Sequence, residues 1–462
     1  MPDLTTGLRE LDLLMGELRP KSMLLIVGHP GSGKTTLASK ICYSNALRGH
    51  KCLFITFYED KEKLYRNMGK LGINLQEAES KQLLTYVKLP VASPEEIMNI
   101  ISTLVVKDLH KVVVIDSINT ALELLPQKQV QKAVLLNYFY QLINVIGGLL
   151  ILVAEIPLGS EELDLGSVEF IADCILYLKH RVARGLLSRV LEVRKLRGSP
   201  ISVVELPFDI LEKEGVKVFL PPRPLRAISI EENPLNSTLT LTGEMVGSIR
   251  RGDVIYIEYP AAYRSPIIII PMIDVLVTNK LKGLFISYKY SVDEVYDAIT
   301  SGLLIHTGLS RETIGKILGE HMLAESINPG SSALPHLHAK AVDVIERFKP
   351  DVIFFHGVEL FSALAEPREY WTALINELLW LKNNGKLVVR LGSRVHPYWS
   401  GINSSISDLV IRLYYRRKHG SLAPIIACWR RGHEPTEIEI DEGVIRKLKE
   451  DARKLESIIQ GC

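Results

Sequence analysis

The chain has 462 residues, of which 47% are hydrophobic and 23% charged, and its formal net charge is +2. This length exceeds one ordinary domain and fits two or three, with enough apolar residues to build sizeable cores. The nearly balanced charge provides no overall attraction to nucleic acid or to an anionic membrane, so any such binding would depend on local clusters.

The cysteine spacing and the lengths of the apolar runs argue against disulfide-rich, zinc-binding and membrane-spanning proteins. The five cysteines form no CxxC pair, which argues against a disulfide framework or a zinc site and favours a reducing compartment. The start of the chain lacks a basic-then-apolar signal, and the richest apolar runs, residues 144–154 and 267–277, are too short to span a bilayer. We expect both runs to be buried strands, and the protein to be cytoplasmic without a membrane partner.

The first predicted strand, residues 23–27, leads into the sequence GHPGSGKT, after which a helical pattern begins near Lys34. Glycines between a strand and a helix let the backbone close on phosphates, with free N–H groups and the helix N-terminus facing them. We therefore expect a P-loop that binds ATP; the alternative is a glycine-rich turn without nucleotide. The predicted nucleotide-binding residues are Gly28, His29, Pro30, Gly31, Ser32, Gly33, Lys34, Thr35 and Thr36.

Another predicted strand, residues 112–115, is followed by Asp116. Open α/β sheets place ligand contacts at the carboxyl ends of their strands. We expect Thr35 and Asp116 to hold Mg²⁺, through the hydroxyl and through the water shell of the ion, and Lys34 to contact the β- and γ-phosphates. A structural alternative for Asp116 is a cap of the following turn.

Five short apolar runs alternate with helical patterns in the first half: residues 23–27, 52–57, 112–115, 149–154 and 175–178. Runs that are apolar on both faces indicate a parallel sheet covered by helices, which is an α/β fold.

The same half resembles a KaiC-type ATPase domain of the RecA superfamily, a branch that includes many archaeal regulators. The resemblance rests on TTGLRELD at residues 5–12, on the P-loop, and on four segments in the family's order: CLFITFYED, KVVVIDSINTAL, VEFIADCILYL and RVLEVRKLRGSP. It implies a RecA-like domain over residues 1–222, with ATP and Mg²⁺ as cofactors.

The resemblance places two residues at the catalytic water. The family's second strand usually ends in two adjacent carboxylates, and this chain has Tyr58 and Glu59 there. A phenol with a pKa near ~10 is a poor proton acceptor at neutral pH, so hydrolysis would depend on Glu59 or be slow. The alternative for Glu59 is a solvated carboxylate at a strand end.

Lys195 and Arg197 match the family's basic finger, which reaches the γ-phosphate bound by the neighbouring subunit of a ring. Their spacing would place both side chains on one face of a strand. This reading implies a homo-oligomer, a hexameric ring by resemblance; the alternative is two exposed basic residues in a hairpin.

The second half repeats the order of features after a proline-rich linker at residues 223–237. A degenerate pseudo-ATPase domain is expected over residues 238–446 and an amphipathic helix, for docking or a partner, over residues 447–462. The sequence EYPAAYRS stands in the P-loop position, and His356 replaces Asp116. Ser404 and Ser405 fall where KaiC carries phosphoacceptors, although no working P-loop accompanies them.

These readings predict two tandem RecA-like P-loop NTPase domains and a slowly hydrolysing, ring-forming nucleotide switch with an unidentified regulatory partner. One alternative is a DNA-binding recombination accessory similar to RadA paralogues. It is disfavoured because residues 155–169 contain five carboxylates and no basic residue, which would repel phosphates. Another alternative is an ATP-stabilised adaptor without turnover.

Overall fold

The computed structural model describes residues 4–16, 18–90, 92–119, 128–157, 168–183, 185–198, 204–220, 234–261, 266–331, 333–418 and 421–460. The chain forms two compact units, Met1–Pro221 and Pro222–Cys462. Each unit contains one mostly parallel sheet flanked by helices, which confirms the predicted tandem α/β architecture.

The described part of the first unit contains nine strands and seven helices. Its strands are β1 (Ser22–Gly28), β2 (Cys52–Thr56), β3 (Leu84–Lys88), β4 (Val112–Asp116), β5 (Leu149–Glu155), β6 (Cys174–Ala183), β7 (Leu186–Leu196), β8 (Glu205–Leu211) and β9 (Gly215–Val218). Its helices are α1 (Arg9–Met15), α2 (Lys34–Leu47), α3 (Lys61–Lys70), α4 (Leu75–Ser80), α5 (Pro94–Asp108), α6 (Lys128–Ile146) and α7 (Val168–Ile171).

The first sheet has the order β3-β2-β4-β5-β1-β6-β7-β8-β9. Strands from β3 to β6 pair in parallel, and those from β6 to β9 pair antiparallel. Alternate residues of β1 enter two cores: Leu24 and Ile26 pack on one face, Leu25 and Val27 on the other. Burial on both faces explains why these strands are continuous apolar runs in the sequence.

The second unit repeats this arrangement. Its strands are β10 (Val254–Tyr259), β11 (Gly283–Ser287), β12 (Met322–Ser326), β13 (Val352–His356), β14 (Leu387–Ser393), β15 (Leu409–Lys418), β16 (Ser421–Arg430) and β17 (Thr436–Glu439). Its α-helices are α8 (Thr240–Val246), α9 (Ile270–Thr278), α10 (Val292–Thr307), α11 (Arg311–His321), α12 (Leu334–Phe348), α13 (Pro367–Asn383), α14 (Pro397–Ser405) and α15 (Glu442–Gln460), and its 3₁₀ turns are Pro266–Ile269, Pro329–Ser331 and Val358–Ala363. The strand order β12-β11-β13-β14-β10-β15-β16-β17 places each strand as its counterpart in the first unit.

One predicted strand is wrong. Residues 267–277 form the 3₁₀ turn Pro266–Ile269 and most of α9, and α9 is buried from Ile270 to Val277. Because a short, wholly apolar run fits a buried helix as well as a buried strand, its periodicity could not distinguish them. Across the described residues, no helix combines the length and apolarity needed to cross a membrane.

The ends of the second unit differ from the predicted boundaries. The N–H of Leu235 donates to the carbonyl of Ile249 at 2.8 Å, and the N–H of Thr238 donates to the Asp274 carboxylate at 3.1 Å. Residues before 238 therefore already belong to this unit. Helix α15 begins at Glu442 and buries Leu448, and its apolar face packs on α8, α10 and α11, so that face is occupied within the chain.

Candidate functional site

The loop between β1 and α2 requires glycine at two positions. Gly33 has a φ of 100°, in the left-handed region, and a Cβ there would lie 2.7 Å from Cδ1 of Ile210. At Gly28 a Cβ would lie 2.5 Å from the carbonyl oxygen of Leu178. Backbone conformation and close packing together exclude larger residues, so the loop is shaped for close approach of its main chain to a ligand.

Lys34 is held across the loop by two oxygen atoms. Its Nζ donates to the carbonyl of His29 at 2.9 Å and forms an ion pair with Oε1 of Glu155 at 3.2 Å. Parallel pairing of β1 with β5 sets Gly28 opposite Glu155, and this register brings the carboxylate to the loop. The ammonium group therefore already lies among the groups that a triphosphate would contact.

Thr35 and Asp116 form the predicted metal pair. The Thr35 hydroxyl donates to Oδ2 of Asp116 at 2.7 Å. Burial raises the pKa of Asp116 to about 6, and the charges of Glu59 and Glu155 also raise it, whereas the Thr35 hydrogen bond and Lys34 lower it. A carboxylate that is desolvated beside other carboxylates is suited to receive a cation.

The residues present fit a nucleotide phosphate with Mg²⁺. The buried hydroxyl of Ser32 has no hydrogen-bond partner within the described residues, and the loop faces the N-terminus of α2, where free N–H groups favour an anion. Mg²⁺ in such sites takes one or two protein oxygens together with substrate phosphates and water, as Thr35 and Asp116 would provide. No cluster of three or more His, Cys, Asp or Glu suited to another metal occurs in the described part of the chain.

Tyr58 and Glu59 lie in different surroundings. Strand β2 has already ended at Thr56, so strand alternation does not govern where these side chains lie. Tyr58 is 67% exposed. Glu59 donates its N–H to the Thr56 hydroxyl at 3.4 Å, and its charge is among those that raise the pKa of Asp116. Glu59 is therefore close enough to act electrostatically on Asp116, whereas the Tyr58 side chain is mostly exposed to solvent.

Lys195 and Arg197 are not brought to this loop. Lys195 lies near the end of β7, and Arg197 in the turn after it. Both side chains donate to the carbonyl of Phe170, at 3.0 and 2.5 Å, and Arg197 lies 3.3 Å from the Asp173 carboxylate.

Asp173, which contacts Arg197, lies at the amino end of the parallel strands, whereas the P-loop lies at their carboxyl end. Asp173 precedes β6, whose Cys174 pairs with Leu24 near the amino end of β1, while Leu178 pairs with Gly28 at the carboxyl end. At ~3.3 Å per residue along a strand, the finger and the loop are well over ~10 Å apart. The two basic residues therefore do not contact a phosphate held by their own subunit's loop.

Comparison with known proteins agrees with this geometry. A family model described as "ATPase: KaiC" matches residues 4–223. The circadian clock protein KaiC3 of Synechocystis sp. is 24% identical over 446 residues, which cover 91% of this chain and 85% of that protein. The first unit therefore matches the KaiC ATPase family model, and the chain as a whole is similar to KaiC-type proteins.

Two further relatives share only part of their length with this chain. The circadian clock oscillator protein KaiC of Parathermosynechococcus lividus is 28% identical over 42% of this chain and 37% of its own. The KaiC of Picosynechococcus sp. is 27% identical over 42% of this chain and 39% of its own. These alignments span less than half of those relatives.

The second unit of this KaiC-like chain has an ion pair where the first has a glycine. Glu258 replaces Gly28, is fully buried, and binds the Arg412 side chain on the neighbouring strand and the Ser400 hydroxyl. In place of the first turn of α2, the chain forms the 3₁₀ turn Pro266–Ile269. Tyr263, Arg264 and Ser265, the last three residues of the segment EYPAAYRS, lie outside the described residues.

The other chemical positions of the second unit have also become internal contacts. His356, at the Asp116 position, shares a hydrogen bond of 3.2 Å with the Ser287 hydroxyl. Lys289, at the Tyr58 position, pairs with Glu359 at 3.0 Å. The Ser405 hydroxyl donates to the carbonyl of Ile402 at 2.9 Å. These contacts stabilise the fold and leave no phosphate cradle among the described residues.

Three acidic residues have contacts that the sequence patterns do not predict. Glu155 belongs to the loop with five carboxylates, but it also follows a predicted strand, which is the signal that marks Asp116. Asp173 accepts the N–H of Met23 at 2.9 Å, and Asp408 accepts that of Val254 at 3.0 Å. Each aspartate thus caps the start of its central strand, and their repetition in both halves was the available signal.

Proposed function

We propose that this KaiC-like protein binds one MgATP per chain in its first unit, hydrolyses it slowly, and uses the bound state to control a homo-oligomeric ring. The observation that carries the proposal is the Thr35–Asp116 pair beside a loop that requires glycine at two positions and holds Lys34. The second unit has Glu258 and Arg412 in the corresponding place, so a single nucleotide site per chain follows.

Each group of the site has a part in hydrolysis. The residues from Gly28 to Thr36 other than Pro30 bind the phosphates through backbone N–H groups, and Lys34 exchanges its contact with Glu155 for phosphate oxygens. Mg²⁺, held by Thr35 and through water by Asp116, would neutralise charge on the β- and γ-phosphates. Glu59 accepts the proton of the attacking water while the γ-phosphoryl group transfers to that water and ADP leaves.

Slow turnover follows from the arrangement of carboxylates. A positioned general base contributes typically about 10²- to 10⁴-fold to a rate. Tyr58 points to solvent and supplies no base, so proton transfer would depend on Glu59 alone, whose carboxylate also lies 3.7 Å from the Lys63 ammonium. ATP would then persist long enough to mark a state that a regulatory partner could read.

Lys195 and Arg197 make ring assembly depend on bound ATP, because they contact the phosphate held by a neighbouring subunit. Since they lie at the edge of the sheet opposite their own P-loop, they are available to a phosphate held by a neighbouring subunit. A charge-assisted hydrogen bond contributes about 1.5 to 3 kcal/mol, enough to shift assembly when ATP is bound. By resemblance the ring is a hexamer.

The test mixes two inactive variants. Lys34→Ala chains cannot hold ATP but retain the finger, and Arg197→Ala chains hold ATP but lack the finger. Phosphate release by the mixture should exceed that of either variant alone, because mixed rings restore complete sites. Arg66→Ala, which changes an exposed arginine on α3, is the matched control and should retain its own activity. A mixture that is no more active than its components would show that the finger does not act between subunits.

A further inference from the structure

A cavity of 320 Å³ opens at the carboxyl edge of the second sheet. Four of its lining residues carry rings, Tyr259, Phe285, Tyr290 and His356, and aliphatic side chains such as Ile269 and Ile299 complete the wall. The cavity is bounded by the ends of β10, β11 and β13, by the 3₁₀ turn Pro266–Ile269, and by α10. Its size falls at the lower end of the range of small-molecule pockets, roughly 300–1,000 Å³.

The cavity occupies the ligand-binding edge of this α/β unit. His356 corresponds to Asp116 and Tyr290 to Glu59, so the cavity lies where the first unit has its metal and water-activating carboxylates. Both carboxylates have been replaced by rings. The 3₁₀ turn removes the helix start that would attract an anion, while the strand ends still present an open crevice.

The residues that line the cavity disfavour a charged ligand. None of the described residues that line the cavity is Asp, Glu, Lys or Arg. The neighbouring charged groups are engaged elsewhere, Lys289 with Glu359 and Glu258 with Arg412. A phosphate or a carboxylate would therefore lose its hydration without gaining a counter-charge.

The rings are arranged for contact with another ring. The centroids of Tyr290 and His356 lie 4.9 Å apart at 47°, and those of Phe285 and His356 lie 5.7 Å apart at 46°. Aromatic side chains in such tilted arrangements favour a further ring in stacked or edge contact. We propose that the second unit binds a neutral aromatic molecule of one or two fused rings in this cavity.

The experiment titrates the full-length protein with 2-naphthol and with indole, observed by saturation-transfer NMR, in the presence of saturating MgATP. Saturable binding is expected, and excess ATP should not displace the probe because the first unit is not involved. The anionic analogue 2-naphthalenesulfonate should bind at least tenfold more weakly than 2-naphthol.

Two tryptophan substitutions on one helix locate the site. Ala298 lines the cavity and is exposed at its mouth, whereas the adjacent Asp297 is exposed and does not line it. Ala298→Trp should weaken 2-naphthol binding at least tenfold, and Asp297→Trp should leave it unchanged. Phe285→Leu, which retains apolar bulk but removes a ring, should weaken binding severalfold while leaving ATP binding intact.

Three results would overturn the proposal. These are the absence of saturable binding, equal binding by Ala298→Trp and the unmodified protein, and displacement of the probe by ATP. Because ATP binding to the first unit is measured in the same samples, failure of this proposal is distinguishable from failure of the proposed nucleotide site.

Discussion

Asp116 combines the two opposing effects that set the chemistry of the site. Burial and the nearby carboxylates favour its neutral form, while Thr35 and Lys34 favour the carboxylate, and the result is a pKa of about 6. In the proposed MgATP site a proton and a divalent cation would compete for this group. We therefore expect occupancy of that site to depend on pH just below neutrality.

The first prediction is that Mg²⁺-dependent ATP affinity decreases on acidification. The raised pKa means that Asp116 takes up its proton as the pH falls through about 6, and the protonated acid is a poor partner for the hydrated ion. Below that value the affinity should fall by up to ~10-fold per pH unit. Calorimetric titrations between about pH 8 and about pH 5, with and without Mg²⁺, measure it.

The control for this prediction is Asp116→Asn. Protonation of ATP itself affects both proteins equally, so the unmodified protein should lose more affinity than the variant over the same pH range. Parallel pH dependences in the two proteins would mean that Asp116 does not bind the cation.

The second prediction separates Glu59 from Glu155, which lie beyond the end of β2 and at the end of β5, the strands on either side of β4. Glu59→Gln should lower the ATPase rate roughly 10²-fold with little change in ATP affinity, as expected for loss of a general base. Glu155→Gln removes a partner of Lys34 and should alter ATP affinity more than the rate. Tyr58→Phe is the control and should change neither, because the side chain points to solvent. A larger rate loss in Glu155→Gln than in Glu59→Gln would reassign the base.

The sequence predicts site residues that belong to one continuous motif, but it does not predict contacts between residues that are far apart in the chain. Gly33, Lys34 and Thr35 are fixed by one continuous motif, and Asp116 by the end of an apolar strand. The contact between Lys34 and Glu155 depends on the register in which β1 pairs with β5. Local sequence periodicity does not predict that register.

At the scale of elements, the main change in the second unit is the start of one helix. Helix α2 begins directly after the glycine loop at Lys34, whereas α9 begins at Ile270 after a 3₁₀ turn. A shortened, proline-started turn does not present the row of free N–H groups that binds phosphate. The proposal that this unit binds no nucleotide therefore rests on its backbone structure as well as on its side chains.

The third prediction concerns α15. Leu448 is buried against the helices of the second unit, so Leu448→Ala should lower the free energy of unfolding of that unit by about 2–5 kcal/mol. Lys447→Ala, the exposed neighbour on the same helix, should change it by less than ~0.5 kcal/mol. All four tryptophans lie beyond residue 370, so urea titrations followed by tryptophan fluorescence report on this unit alone. Equal midpoints for the two variants would show that α15 does not stabilise the unit.

Elements were predictable where pattern and composition agreed. The five apolar runs predicted as strands in the first unit correspond to β1, β2, β4, β5 and the first half of β6. The run at residues 267–277 has no polar residue before Asp274 to reveal a helical period, and it became a helix because it packs in the place of α2. Tertiary packing, rather than local sequence preference, determined that this run is a helix and not a strand.

At the scale of the whole molecule, two units share one strand order but only one has retained the groups for ATP chemistry. Apolar strands and the capping aspartates Asp173 and Asp408 are kept in both, whereas the positions that would touch phosphate or metal differ. The fold alone therefore does not determine the activity. In the proposed ring, the second unit acts as a scaffold and the first as the nucleotide-dependent part.

Native mass spectrometry of the full-length protein, with and without MgATP, tests this account most directly. It predicts ATP-promoted assembly into a ring, expected to be a hexamer, with one nucleotide bound per chain. Lys34→Ala should bind no nucleotide and should not assemble further when ATP is added. Two nucleotides per chain would contradict the assignment of the second unit, and an oligomeric state that is unchanged by bound ATP would contradict the nucleotide-controlled ring.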